Sequence, residues 1–354
     1  MSKRVIYMVG PSLNTKGGIS SVLAFYRANL ADRFPLRFIA SYSGNGRLFD
    51  VALFGLSVLR ILFLAVSRPA AVFHIHASTG GSFLRKSILL RIAARAGRTC
   101  ILHIHGADYD TFIDQASPRL RRAILRFLRD AGAIIVLSRG WQAYFSRWVD
   151  SGKLFVVSNP APVILGGLKA RAAGEPLRMV FTGLIGDRKG AFDVVEALAG
   201  IGEGDWTLDM FGNGEVKRLR QQIREAGLEG RIRVFEWVRH EVLMARYADY
   251  QVQLLPSRAE GQPMSLLEGM GCGLALIASR VGGIPELLEE GENGLFVTPG
   301  NVAELREAIR RCLDDRERVE AMRRNSLQKA RELFSREAVA GQLRTVYRHA
   351  GVDV

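Results

Sequence analysis

A chain of 354 residues and 39.1 kDa is too long for one ordinary hydrophobic core and suits two domains of comparable size. Its 48% hydrophobic and 24% charged residues are those of a folded globular protein, and three scattered cysteines, Cys100, Cys272 and Cys312, exclude a disulfide framework or a cysteine metal cluster and suit a reducing cytosol. The net charge of +14 is confined to one half: residues 1–165 carry 22 Lys and Arg against 7 Asp and no Glu, while the remainder is near neutral, which points to a polyanionic partner for the first half, either nucleic acid or an anionic membrane surface.

In chain order, Lys3–Val9 reads as a buried strand, Gly10–Gly18 as a loop and Ile19–Leu30 as a helix. Val5–Val9 is too short for the apolar core of a secretory signal, so none is expected. Short apolar runs follow at Ala71–Ile75, Thr99–Ile104, Ala133–Leu137 and Leu154–Val157, separated by helix-length segments. A Gly/Ala-rich stretch, Gly166–Gly174, reads as a linker, after which strands are expected at Arg178–Phe181, Trp206–Met210, Ile232–Phe235, Gln251–Leu255 and Leu274–Ala278. The alternation predicts an α/β protein of two doubly wound, Rossmann-like domains, 1–165 and 166–335, facing across a cleft, with a last helix at about 336–354 returning to the first.

The chemistry is densest in Pro256–Gly273, PSRAEGQPMSLLEGMGCG. A strand ends, a loop carries Glu260-Gly261, and a helix opens near Pro263 with Glu268 inside it. Pro is tolerated at a helix start because its missing N–H would be unpaired there. The amides of Gln262, Met264, Ser265 and Leu266 can then face an anion, and a carboxylate at Glu268 can accept hydrogen bonds from vicinal hydroxyls. This outlines a site for a diphosphate and a sugar.

Glu260 and Glu268 within EGQPMSLLEGM, followed by VGGIPELLEEGENGLFVTPG, resemble the paired-glutamate motif of the retaining glycosyltransferases of family four, whose form is EGxPxxxxEAMAxGxPV. The likeness covers nearly the whole chain, through KGGIS, VFHIHAS, ILHIHGAD, FTGLIGDRKGAFDVVEAL and FGNGE. It implies the GT-B architecture and a bacterial-type enzyme of cell-envelope polysaccharide or glycolipid synthesis. Its donor would be a UDP- or GDP-linked sugar, with no cofactor and no metal. Residue by residue, Glu268 would hold the ribose hydroxyls, Glu260 the transferred sugar, and Lys189 the diphosphate, with Gly183 and Arg188 beside it. Gly261, Gln262, Pro263, Met264 and Ser265 would line the sugar and phosphate, Gly17 and Gly18 would approach the diphosphate from the first domain, and Val238 would read the base. His76 would stand near the reacting centre, with His105, Asp108 and Arg85 on the acceptor side.

The chain departs from the family at Leu184, where an Arg usually follows the glycine; at Gly269 and Gly271, where alanines are usual; and at Glu236, which replaces a common glycine. Arg188 could supply the missing cation, because a guanidinium binds phosphate from more than one approach. The two glycines would weaken their helix by about 1 kcal/mol each. If Leu184 disables the site, the alternative is a nucleotide-sugar-binding protein or epimerase of the same fold. His74 with His76 and His103 with His105 alternate along strands and could each offer a pair of metal ligands, but no third ligand is evident. Asp108-Tyr109-Asp110 has the spacing of a metal motif but falls in the acceptor domain.

Arg119, Arg122, Arg126 and Arg129 share one helical face, with Leu120, Ile124, Phe127, Leu128 and Ala131 on the other, and Arg91, Arg95 and Arg98 repeat the pattern. Val51–Val66 is strongly apolar, is broken by Arg60, and is shorter than the ~20 residues of a membrane span. The charge therefore suggests peripheral docking at the inner face of the cell membrane, where anionic lipid attracts each basic residue by roughly 1 kcal/mol, or else an ordinary solvated face. No recognition motif or aromatic stacking platform accompanies the arginines, so no nucleic-acid partner is expected.

Overall fold

The computed structural model describes residues 4–164, 168, 174–202, 204–236 and 238–353. The chain forms two compact units, Met1–Pro160 with Arg336–Val354, and Ala161–Ser335. The chain thus changes unit at Pro160–Ala161, ahead of the 165/166 boundary read from sequence. The linker expected at Gly166–Gly174 lies mostly outside the described residues.

In the first unit a six-stranded sheet has the order β2-β1-β3-β4-β5-β6, with β1 at Ile6–Gly10, β2 at Leu36–Ala40, β3 at Val72–Ala77, β4 at Thr99–Ile104, β5 at Ala133–Val136 and β6 at Leu154–Val156. All its pairings are parallel. Every residue of β3 and β5 is buried, as befits strands covered by helices on both faces. β2 is absent from the sequence reading because it is a short edge strand interrupted by an exposed Arg37. The Arg336–His349 helix buries Val339, Leu343, Val346 and Tyr347 in this unit, and its Gln342 side chain accepts from the Ser158 amide at 2.9 Å.

In the second unit the order is β12-β11-β10-β7-β8-β9, again all parallel, with β7 at Leu177–Thr182, β8 at Trp206–Phe211, β9 at Ile232–Phe235, β10 at Val252–Leu255, β11 at Ala275–Ser279 and β12 at Gly294–Val297. β12, a four-residue edge strand, also escaped the sequence reading. The chain runs outward from β7 through β8 to β9, then returns to β10 on the other side of β7. That reversal splits the crossovers at the carboxyl ends of β7 and β10, which is where open parallel sheets bind ligands.

Candidate active site

Two glycines bring the β7 and β10 ends together. Gly190 has φ 70°, and a Cβ there would lie 2.4 Å from the Pro256 carbonyl oxygen, so only glycine fits. The short 3₁₀ turn Asp187–Lys189 before it is thereby pressed onto the loop after β10, where the Arg258 amide donates to the Arg188 carbonyl at 2.8 Å. On the far side, a Cβ at Gly282, φ 53°, would lie 1.7 Å from the Glu260 carbonyl oxygen, and the Gly283 amide donates to Gly261 at 2.6 Å. The Glu260-Gly261 loop is thus clamped from both directions.

The clamp sets Lys189 Nζ 2.5 Å from Glu260 Oε1, with only 14% and 6% of the two side chains exposed. Ser257 Oγ donates to the same carboxylate oxygen at 2.6 Å. Charge-assisted bonds of this kind hold both groups in one geometry. Arg188 is exposed, and its guanidinium donates to the Ala259 carbonyl at 3.2 Å; Leu184, at the position expected to be Arg, is 54% exposed. Gly183, half-buried, packs against the Lys189 aliphatic chain.

The helix Met264–Gly271 starts directly after Pro263, which sits at the N-cap; no side chain caps it. Its opening turn therefore presents backbone donors without a protein anion among the described side chains. Gln262 and Pro263 are buried, while Met264 and Ser265 are partly exposed. Gly269 and Gly271 need a different reading from weaker helices: a Cβ at Gly269 would lie 1.9 Å from Gln253 Oε1, and one at Gly271 2.2 Å from the Pro162 carbonyl. Alanine is excluded at Gly271 by backbone, and at Gly269 it would require the Gln253 side chain to shift. Gln253 uses the space to donate to Thr182 Oγ1 and to the Ser265 carbonyl, both at 2.9 Å, tying β7, β10 and the helix together.

Glu268 lies in that helix, 6% exposed, and burial pushes its carboxyl up to about 8, so it is mostly protonated at neutral pH. His240 Nδ1 is 3.6 Å from its Oε1, at the start of the helix that follows β9. Val238, two residues earlier, is half-buried against the cluster of Val180, Phe211 and Tyr247. Trp237 lies outside the described residues. Ser257, Gln253 and His240 were missed by sequence reasoning. Ser257 stood visible beside Glu260, whereas the contacts of Gln253 and His240 depend on strand order and carry no local signal.

In the first unit, β3 and β4 are in register with His76 opposite His103, so the side-chain alternation places His74, His76, His103 and His105 on one face. His76 Nδ1 is 2.9 Å from His105 Nε2, His74 Nε2 is 3.2 Å from His103 Nδ1, and His74 Nδ1 is 3.0 Å from the Tyr347 hydroxyl. The third ligand missing from sequence is thus present: nitrogens of His74, His76 and His103 lie within 4.8 Å of one another. The rings nevertheless stack, His74 on His76 at 15° and His103 on His105 at 26°, which directs their nitrogens along separate planes instead of toward one point. Burial lowers all four, His74 and His105 to about 3 and His76 and His103 well below the ordinary imidazole value, so they are neutral imidazoles. His76 Nε2 has no hydrogen-bond partner among the described residues.

Gly17 has φ 140° and precedes a helix that begins at Gly18, again without a side-chain cap. Asp108 is exposed and accepts from Thr79 Oγ1 at 3.0 Å, and the Arg85 guanidinium lies 4.7 Å from the Tyr42 ring centroid. Sequence reasoning missed Lys86, which is fully buried, donates to Ser41 Oγ, and is lowered to about 7 by burial. Ser41 Oγ in turn donates to the carbonyl of Gly10, at the end of β1.

Comparison with known families decides the identity. Residues 26–160 match the family described as "Glycosyl transferase 4-like domain", and residues 169–329 match "Glycosyl transferases group 1". The chain belongs to the GT-B glycosyltransferases of the family-four type. The chain is 29% identical over 177 residues to the alpha-D-kanosaminyltransferase of Streptomyces kanamyceticus, covering 49% of this chain and 46% of that protein; the chain therefore spans less than half the length of that relative. In fold it is similar to the sucrose-phosphate synthase of Thermosynechococcus elongatus, with a TM-score of 0.79, 20% identity and 98% of each chain covered. It is also similar to the Anabaena protein HepE in complex with UDP and glucose, with a TM-score of 0.75, 20% identity, and 98% of this chain and 100% of that chain covered. The Lys189–Glu260 pair of the glycosyltransferase falls inside the group 1 match, and the histidine column inside the other.

Proposed function

We propose that this protein transfers a hexose-type sugar from a UDP- or GDP-linked donor to a glycan or lipid-linked acceptor, with retention of anomeric configuration and without a metal. The observation that carries the reading is the Lys189–Glu260 pair at the β7/β10 switch point, beside the uncapped start of the Met264–Gly271 helix. The complex of HepE with UDP and glucose supports a nucleotide-linked sugar as ligand.

In this reading the C1–O bond to the leaving diphosphate breaks as the acceptor oxygen bonds C1 on the same face, and the acceptor proton passes to a donor phosphate oxygen. Negative charge grows on the diphosphate, so catalysis depends on cations and amides already in place. Lys189 and the first-turn amides of the Met264–Gly271 helix serve that role, assisted by Arg188. Glu260 and Gly261–Ser265 bind the sugar, Glu268 the ribose and Val238 the base. In the first unit His76, held neutral and hydrogen-bonded to His105, stands with Asp108 and Arg85 on the acceptor side.

The enzyme would work in cell-envelope polysaccharide synthesis at the cytoplasmic face of the membrane, drawn there by the positive charge of its first half. The test is a panel of UDP-, GDP- and ADP-sugars scored for thermal stabilisation and then for transfer and hydrolysis. Stabilisation with neither transfer nor hydrolysis would favour a binding protein, and interconversion of the donor sugar an epimerase, the two alternatives raised by Leu184 standing where the family usually has Arg.

A further inference from the structure

The Arg47–Ser67 helix is apolar around its whole circumference, yet the fold covers only one side. Ser57, Ile61, Leu64 and Ala65 are buried against the first unit, while Leu48, Leu56, Leu59, Leu62, Phe63 and Val66 stand between 44% and 88% exposed. The Gly80–Arg95 helix beside it extends the ridge with Leu84 and Ile88, 58% and 44% exposed. Single exposed leucines are ordinary, but a continuous ridge is not. A helix hydrophobic all round belongs in a core or in lipid. At 21 residues it is longer than the apolar run read from sequence and is long enough to cross a bilayer, with only 22% of its most apolar stretch buried.

We propose that this ridge enters the headgroup and acyl boundary of an anionic bilayer, with the helix lying flat in the interface. Lying flat follows from its attachment: one face is packed in the first unit, and Asp50 near its start accepts from the Ser43 amide and hydroxyl, both at 2.7 Å. Asp50 is the sole acidic residue between 47 and 98, and those bonds occupy it, whereas exposed Arg47, Arg60 and Arg68 edge the ridge. A rim of cations alone complements anionic lipid and would repel the same rim on a second copy of the chain. The Pro118–Arg129 helix, favoured by sequence, has Ile124, Phe127 and Leu128 buried, so it offers charge without an inserting face. The proposal rests on the membrane association stated above and is independent of sugar transfer.

The experiment uses the full chain with phosphatidylglycerol or phosphatidylcholine vesicles across a salt series. Wild type should co-sediment with the anionic vesicles and keep part of its binding at high salt, because insertion of apolar surface is not screened. The variant Leu59→Ser/Phe63→Ser/Val66→Ser, whose sites are exposed, should keep its melting temperature and lose binding by on the order of a hundredfold. Arg119→Glu/Arg122→Glu/Arg126→Glu/Arg129→Glu should weaken binding at high salt far less than the serine variant does, since those charges act through solvent and are screened while inserted apolar surface is not. A polarity-sensitive dye on Leu59→Cys should shift to the blue with anionic vesicles, and one on Arg126→Cys should not; Cys100, Cys272 and Cys312 are buried. No vesicle binding by wild type would overturn both membrane readings. Wild-type binding with an unaffected serine variant, or a dye at 59 that stays in water, would overturn this one alone, as would a concentration-dependent dimer that the serine variant abolishes.

Discussion

The ammonium of Lys189 and the carboxylate of Glu260 meet at 2.5 Å across the one point where the second sheet reverses its strand order. Each residue satisfies the other's charge, so a variant that removes one leaves the other without its partner. Lys189→Ala should lower turnover by about 10²–10³-fold, as does loss of one group that stabilises developing charge. Arg188→Ala, which removes an exposed guanidinium resting on a carbonyl, should cost less than about tenfold. Steady-state kinetics on both variants checks the order; the reverse order would assign Arg188 the role of the cation replaced by Leu184. Lys189→Met should also be less stable than the double variant Lys189→Met/Glu260→Gln, because it leaves a buried carboxylate without its partner.

Glu268 gives a second, separable expectation. Glu268→Ala should weaken nucleotide-sugar binding by about 0.5–1.5 kcal/mol for each hydrogen bond that its neutral carboxyl makes to the ribose, with little change in fold. Titration calorimetry reads this directly, and unchanged affinity would remove the residue from the ribose site.

The same carboxyl and the histidine column set opposite limbs of the stability profile. Glu268 has its folded value raised from 4.5 to about 8, so its contribution is full below pH 4.5 and is lost as pH rises through 8. His74 and His105 are lowered from 6.5 to about 3, so their contribution is full above pH 6.5 and is lost as pH falls toward 3. Melting temperatures across pH should fall at both ends. Glu268→Gln should flatten the limb above pH 6.5 and steepen the acid limb between pH 4.5 and 6.5, where the two windows overlap and the Glu268 slope opposes that of the histidines. Tyr347→Phe, which leaves His74 Nδ1 without its partner, should lower stability throughout by about 1–3 kcal/mol.

Glycine substitutions should sort by the space around each position. Gly269→Ala places a methyl 1.9 Å from Gln253 Oε1 and should cost about 1–3 kcal/mol, as overpacking of a tight core does. Gly341→Ala, in the Arg336–His349 helix, meets nothing within 4 Å and should stabilise by about 0.5–1 kcal/mol. Denaturant unfolding of the two variants should move in opposite directions.

The sequence by itself determined the parallel α/β class, because buried strands and amphipathic helices differ in period within ten residues of chain. It also determined the loop and helix from Glu260 to Glu268, because both carboxylates and the glycine and proline that shape the turn lie on one short segment. Tertiary structure alone decided what depends on neighbours distant in the chain. His74 and Tyr347 are 273 residues apart and meet only because the last helix belongs to the first unit. Gly269 looks like a weak helix former until Gln253 of β10 is seen to fill its place. The Arg47–Ser67 and Pro118–Arg129 helices show the same limit. Periodicity tells which residues of a helix share a face, but whether that face is covered depends on which elements pack against it, and those partners are chosen by the fold of the whole unit.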